Sequence, residues 1–385
     1  MSVPAYVYDL AGLDRHAATV RAALPSRVEL LYAMKANPDA ELLRSLIDHV
    51  DGVEVASAGE VRRLGAALPG VAPAAFAGPG KTDEDLDAGL AAGVHRFHVE
   101  SPHELRRLDP LAQRRGVVAD VLLRVNLPAD GGAFPRGDGR GGQEAPALVM
   151  GGGPSPFGMD PCEARACVAM DLPGVRIRGV HAHLASGVDA VLAVANARRV
   201  VGWAVDELGA GEVNVGGGMA VDYADPRSRF DWTGYGRGLR TLLAEDPGLV
   251  LRIEPGRALT AYCGTYLTEV VDVKRSHGEW FAVVRGGTHH LRTPAAKGHS
   301  QPFDILPRPD GDRRGPRTGA GPLTLVGQLC TPKDVLARRQ QGASVGVGDV
   351  VAFRMAGAYA WNISHQKFLS HDPPAFRYQT HHNPG

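Results

Sequence analysis

Short apolar runs alternate with helical patterns along the first two-thirds of the chain, and no other feature constrains the fold as strongly. "RVELLYAMK" reads as a strand and "DAELLRSLIDHV" as a helix. "GVEVAS", "PAAFAG", "RFHVE" and "VADVLLRVN" read as further strands, with helix-like segments between them. "VRIRGVHAHL", "EVNVGGG" and "LVLRIEPG" complete the series. Serial strand–helix units predict a parallel sheet. About eight such units suit a closed (β/α)8 barrel better than an open sheet.

After "EPGRAL" the texture changes. "AYCGTYLTEVVDVKRS", "EWFAVVRGG", "LTLVGQLC" and "DVVAFRMAGAY" are strand-like and joined by turns. The expected fold class is therefore α/β plus β, with a barrel over 25–260 and a β domain from 261–385. The opening 1–24 joins that β domain, because "PAYVYDL" is a short strand able to pair into it. One Gly/Pro-rich stretch, 128–156, interrupts the barrel region. Its composition predicts a long loop, either an active-site flap or a tolerated surface insertion.

Composition narrows the function classes. Lys+Arg and Asp+Glu both number 42, so no net basic charge collects nucleic acid. No apolar run spans a bilayer, and the N-terminal stretch has no signal-peptide pattern. Cys162, Cys167, Cys263 and Cys330 show neither CxxC pairing nor zinc spacing. The expectation is a cytoplasmic protein with no nucleic acid or membrane partner.

Several residues stand where chemistry is expected. Lys35 ends the apolar run "LLYAMK". It either snorkels to water or offers a partly desolvated amine for imine chemistry, as with pyridoxal phosphate. Gly216, Gly217 and Gly218 follow a clean strand and can turn backbone N–H groups toward an anion. Gly151 to Gly153 form a second run, but in the low-complexity stretch. "HAHLASG" puts His181 and His183 on one strand face with Ser186 beyond. Metal binding, stacking on a flat ring, and plain core packing are all open to them. Glu254 and Arg257 in "RIEPGRAL" suit a pyridine nitrogen and a phosphate, or simply a strand-end ion pair. Cys330 lies in a polar turn with Thr331 and Asp334, and Tyr359 lies in a small-residue turn.

Taken in order, "YAMKAN", "EVASAGE", "HAHLASG", "GGG", "EPGRAL", "GQLCTPKD" and "GAY" resemble the fold-type III pyridoxal-phosphate decarboxylases of the ornithine/diaminopimelate family. The resemblance covers almost the whole chain. It implies an alanine racemase-like TIM barrel with a C-terminal β-sandwich or barrel, assembled as a homodimer with shared active sites. It implies that Lys35 carries pyridoxal phosphate, with Glu54 beside it and His183 stacked on its ring. Ser186, Gly216, Gly217, Gly218, Arg257 and Tyr359 would meet the phosphate, and Glu254 the ring nitrogen. Cys330 would come from the partner subunit and return a proton to the substrate.

The departures bear on substrate. Diaminopimelate enzymes carry a glutamate after that cysteine, and ornithine enzymes usually an aspartate. Here the next residue is Thr331, and the aspartate is Asp334. "GGTHHLRTPAA" and "WNISHQKFLSH" are similar to a siderophore-biosynthesis branch, whose substrate is an amino acid already joined to citrate, such as citryl-diaminopropionate. His289, His290 and Arg292 are then candidates for its carboxylates, with Thr331 and Asp334 also near substrate. A diaminopimelate, ornithine or lysine decarboxylase is the alternative, followed by an amino acid racemase and a non-enzymatic cofactor carrier.

Overall fold

The computed structural model describes residues 2–128, 148–149, 151–309 and 315–380. The chain forms two compact units, 14–220 with 229–259, and 1–13 with 221–228 and 260–385. The division differs from the expected one in two places. The helix Leu10–Ala23 falls with the barrel unit from residue 14, and 221–228 group with the sheet unit.

Strand β1 (Ala5–Asp9) opens the chain and belongs to the sheet unit. Next come β2 (Val28–Ala33), β3 (Gly52–Val55), β4 (Ala75–Phe76), β5 (Arg96–Val99) and β6 (Ala119–Arg124). Then follow β7 (Leu148–Val149), β8 (Val175–His181), β9 (Ala185–Ser186), β10 (Glu212–Asn214) and β11 (Val250–Ile253). A closed parallel barrel runs in the order β10-β11-β2-β3-β4-β5-β6-β8. These are the eight strands expected from the apolar runs. Six of the helices between them begin on side-chain caps: Asp39, Ser57, Thr82, Ser101, Asp189 and Asp231 each accept from a first-turn backbone N–H. Thr82 and Asp85 close a full capping box.

Because the strands are parallel, their first residues share one end of the barrel and their last residues the other. The first end is filled by charge. Arg96 clamps Glu212 through Nε and Nη2, at 2.7 and 2.9 Å, and reaches Asp120 at 3.1 Å. Arg252 bonds Glu29 and Glu212 at 2.5 and 2.7 Å, and Arg176 bonds Asp120 at 2.5 Å.

The sheet unit adds β12 (Gly264–Ser276), β13 (Glu279–Val284), β14 (Phe303–Leu306), β15 (Leu323–Val326), β16 (Val335–Gln340), β17 (Val350–Phe353) and β18 (Ala375–Gln379). They form one curled eight-stranded sheet together with β1, which pairs antiparallel to β12 and parallel to β18. Aromatic side chains run across these strands. Tyr6 stacks on Phe376 at 5.7 Å between ring centres and meets Tyr266 at 5.1 Å. Among the described residues, no helix is long and apolar enough to cross a membrane.

Candidate active site

The opposite end of the barrel gathers the residues singled out from its strand ends. Lys35 stands in a single turn, Met34–Ala36, directly after β2. Its Nζ donates to both oxygens of Glu54, at 2.9 and 2.8 Å. The lysine side chain is 46% exposed, whereas Glu54 on β3 is fully buried. Burial raises the Glu54 pKa to about 7, with Lys35 pulling it back and Glu254 adding to the rise. The site therefore holds an accessible amine against a carboxyl group that titrates near neutrality.

His183 follows β8 and is half-buried. Its Nδ1 accepts from the Gly217 N–H at 3.2 Å, and its Nε2 lies 3.1 Å from Ser186 Oγ. Desolvation, then the charges of Arg124 and Lys35, lower its pKa to about 3, so the ring is neutral at physiological pH. His181 does not share its surroundings. It is buried against His98 of β5, with ring centres 4.2 Å apart, and its Nε2 is 3.4 Å from Glu254 Oε2. Sequence spacing had grouped His181 with His183; in the fold one ring lies deep in the barrel and the other meets the glycine loop.

Gly216 and Gly218 have φ of 71° and 94°, the left-handed region glycine tolerates. A Cβ on Gly217 would stand 2.3 Å from the Glu254 carbonyl oxygen, and one on Gly216 would stand 2.6 Å from His183 Nδ1. Close packing alone thus demands glycine here. Asn214 ties the loop to the acid: its Oδ1 accepts from Gly216 N at 2.9 Å, and its Nδ2 donates to Glu254 Oε1 at 2.7 Å. Arg257 begins the short helix Arg257–Thr260 after β11 and is half-buried. The second glycine run is otherwise engaged: Gly151 N donates to Leu184 O and Gly152 N to Asn126 Oδ1. Most of the Gly/Pro-rich stretch lies outside the described residues. Its far end, β7, pairs antiparallel with β9 beside Ser186.

Sequence reading missed three barrel residues. His98 lies within β5 and Asn214 ends β10, each a polar residue beyond the charged one that opens its strand, and Arg124 ends β6. Arg124 pairs with the buried Glu100 at 2.6 Å and lies 4.8 Å over the Phe157 ring. The one available signal was a polar side chain at an inward strand position.

The sheet unit holds the remaining candidates. Cys330 is exposed on the turn after β15. Asp334, expected near substrate, is instead 2% exposed and fully engaged. It accepts from Thr288 N and Oγ1 at 2.6 and 2.9 Å and from Leu329 N at 2.8 Å. It fastens the Cys330 turn to the Thr288 loop. Glycine is required on both sides of it, since a Cβ on Gly287 or Gly327 would stand 2.5 or 2.2 Å from its oxygens. Thr331 is half-buried and lines a groove of about 580 Å³ together with Gln328, Lys274 and Arg338.

His289 and His290 also depart from expectation. They are 0% and 2% exposed, so neither offers a surface to a substrate in this conformation. His290 lies between the Tyr266 hydroxyl and the Asp372 carbonyl, each at 2.9 Å. Burial comes first among the causes that lower their pKa values to about 3 and about 4. Arg292 is exposed, its backbone N–H donating to Ser364 Oγ. Tyr359 is half-buried with φ of 50°, and its carbonyl accepts from Thr293 Oγ1 at 2.5 Å.

Residues 10–261 match the family described as pyridoxal-dependent decarboxylase, pyridoxal binding domain. A Staphylococcus aureus protein named 2-[(L-alanin-3-ylcarbamoyl)methyl]-2-hydroxybutanedioate decarboxylase is 38% identical, over 97% of this chain and 94% of its own. Diaminopimelate decarboxylase of Pseudomonas aeruginosa is 32% identical, over 94% of this chain and 84% of its own. The crystal structure of a Helicobacter pylori diaminopimelate decarboxylase variant with L-lysine superposes with a TM-score of 0.83. That likeness covers 98% of this chain and 92% of the other at 23% identity, and it speaks to the fold. The barrel residues fit a pyridoxal group: an accessible amine, a neutral half-buried imidazole, a glycine loop, and a buried carboxylate facing two imidazoles that find no hydrogen-bond partner among the described residues.

Proposed function

Because the chain belongs to the pyridoxal-dependent decarboxylase family, with pyridoxal phosphate as its cofactor, we propose that it removes the α-carboxylate of a diamino acid already amide-linked to citrate. The observation that carries this is the near full-length likeness to the Staphylococcus aureus enzyme. Read as chemistry, that enzyme's name describes 2,3-diaminopropionate joined through its side-chain amine to citrate. Such a product suits siderophore assembly, since citrate's hydroxyl and carboxylates are hard oxygen donors for iron. Thr331, where diaminopimelate enzymes carry glutamate, supports a substrate with no second free amino acid centre.

Bound at the barrel mouth, pyridoxal phosphate supplies the electron sink for loss of CO2. The chain's own residues do the rest. Lys35 offers its amine, and Glu54, titrating near 7, takes and returns that amine's proton. His183 presents an uncharged flat face, which a ring can cover without displacing a hydrated cation. Ser186, the Gly216–Gly218 loop and Arg257 would hold the phosphate. Glu254, held by Asn214, would face the ring nitrogen. The enzyme is a homodimer, and the partner subunit's Cys330, presented on the turn that Asp334 braces, returns a proton to the α-carbon. Arg292, exposed and cationic, takes a substrate carboxylate.

The test is CO2 release by the cofactor-loaded protein from citryl-diaminopropionate, diaminopimelate, ornithine and lysine. Release from the citrate conjugate with kcat/KM at least a hundredfold above the others supports the reading. Preferred release from diaminopimelate or a simple diamino acid would overturn it.

A further inference from the structure

Two buried imidazoles beneath Glu254 have no part in the reading above. His98 projects from β5 and is 0% exposed; His181 is 2% exposed. Their rings lie 4.2 Å apart and only 17° from parallel. None of their four ring nitrogens has a hydrogen-bond partner among the described residues. Yet two of those nitrogens face one carboxylate. His98 Nδ1 lies 3.8 Å from Glu254 Oε1, and His181 Nε2 lies 3.4 Å from Oε2.

Buried polar atoms without partners are uncommon and call for a reason. Packing does not supply one, because leucine or phenylalanine would fill the same inward position with no polar atom to desolvate. A metal ion is the first alternative, since the ligand atoms of His98, His181 and Glu254 all lie within 4.8 Å of one another. The ring geometry argues against it. An imidazole nitrogen offers its lone pair in the ring plane. Near-parallel stacked rings aim along separate planes and do not converge on one tetrahedral centre. Each neutral imidazole does carry one N–H to donate. The carboxylate between them already takes one donor, Asn214 Nδ2 at 2.7 Å.

We propose that His98 and His181 are positioning residues for Glu254. Their ring N–H groups turn toward the carboxylate that Asn214 Nδ2 already bonds, forming with it a seat that aims the carboxylate at the cofactor's ring nitrogen. His98 reaches the carboxylate from β5 while the carboxylate itself follows β11, so the seat spans the barrel interior. The proposal rests on the reading that Glu254 meets that nitrogen.

His98→Phe keeps the stack and removes the donor. The cofactor-free variant should melt no lower than wild type, because two orphaned nitrogens are gone. Its dissociation constant for pyridoxal phosphate should rise about tenfold, and the absorbance band of the bound cofactor should shift. His98→Asn, whose amide nitrogen takes the place of Nδ1, should stay within about threefold of wild type. If the phenylalanine variant does not fold, His98→Leu carries the same expectation. Wild-type affinity and an unshifted band in the variant without the donor would overturn the proposal. So would uptake of one equivalent of Zn2+ by the wild-type apoprotein that His98→Phe abolishes. Glu254→Gln separates the two failures. If it leaves affinity and band unchanged, the reading of Glu254 itself is wrong. If it disturbs both while His98→Phe disturbs neither, only the seat is wrong.

Discussion

The two ends of the barrel are built from the same eight strands and spend their polar residues in opposite ways. At the end where the strands begin, Arg96, Arg252 and Arg176 each face the carboxylates of Glu29, Asp120 or Glu212 at hydrogen-bond distance. Those charges satisfy one another. At the end where the strands finish, Lys35 is partly open to solvent, Glu54 is buried with a raised pKa, and the nitrogens of His98 and His181 find no partner among the described residues. A closed charge network asks nothing of a ligand, whereas an incompletely satisfied cluster does. This agrees with the general placement of barrel active sites at the strands' C-terminal ends.

That contrast can be broken from either side. The largest effect belongs to Lys35→Ala, which should eliminate turnover and the cofactor's imine absorbance while leaving the fold intact. Glu54→Gln removes the carboxyl group proposed to exchange a proton with Lys35. Turnover should fall by about 10² to 10⁴, read as kcat in steady-state assays. At the other end, Glu212→Gln leaves Arg96 and Arg252 facing each other without their shared anion. Losing one partner of a largely buried pair costs about 3 to 5 kcal/mol, visible in denaturant unfolding. Cofactor affinity should stay within about twofold, because the lesion is at the far end.

The smallest effect is a separation in pH. His98, His181 and His183 have lowered pKa values in the fold, His183 to about 3 against an ordinary 6.5. Their contribution to stability is complete above about 6.5 and fades as pH falls below it. Glu212 is lowered from 4.5 by its arginine partners, so its contribution persists down to about 4.5 and is lost only below. Glu54 acts in the other sense, favouring the fold below 4.5 and losing that advantage as pH rises to about 7. Acid titration of the apoprotein should therefore show the ligand end weakening first. His183→Phe should flatten the curve between pH 6.5 and 4.5, while Glu212→Gln should change it only below.

Much of this was legible in the chain. Each barrel strand is an apolar run closed by a polar or glycine residue, so both the strands and the residues at their ends could be read directly. What escaped was whatever depends on a partner across the fold. His98 gains its meaning from Glu254 on the opposite side of the barrel, and no local spacing connects them. Asp334 looked like a substrate contact because it follows Cys330, but besides Leu329 it is held by Thr288, 46 residues earlier in sequence. His289 and His290 were read as candidates for the substrate's carboxylates, and the fold buries both rings. Strands β14, β16 and β18 were missed because "FDIL", "VLARRQ" and "AFRYQ" lack a sustained alternation.

The central claim is that the strand-finishing end of the barrel holds pyridoxal phosphate on Lys35. Borohydride reduction of the cofactor-loaded protein, followed by peptide mass mapping, tests it most directly. The account predicts one pyridoxyl group per chain, carried on the peptide containing Lys35. Label on a different lysine, or cofactor that washes away after reduction, would contradict it.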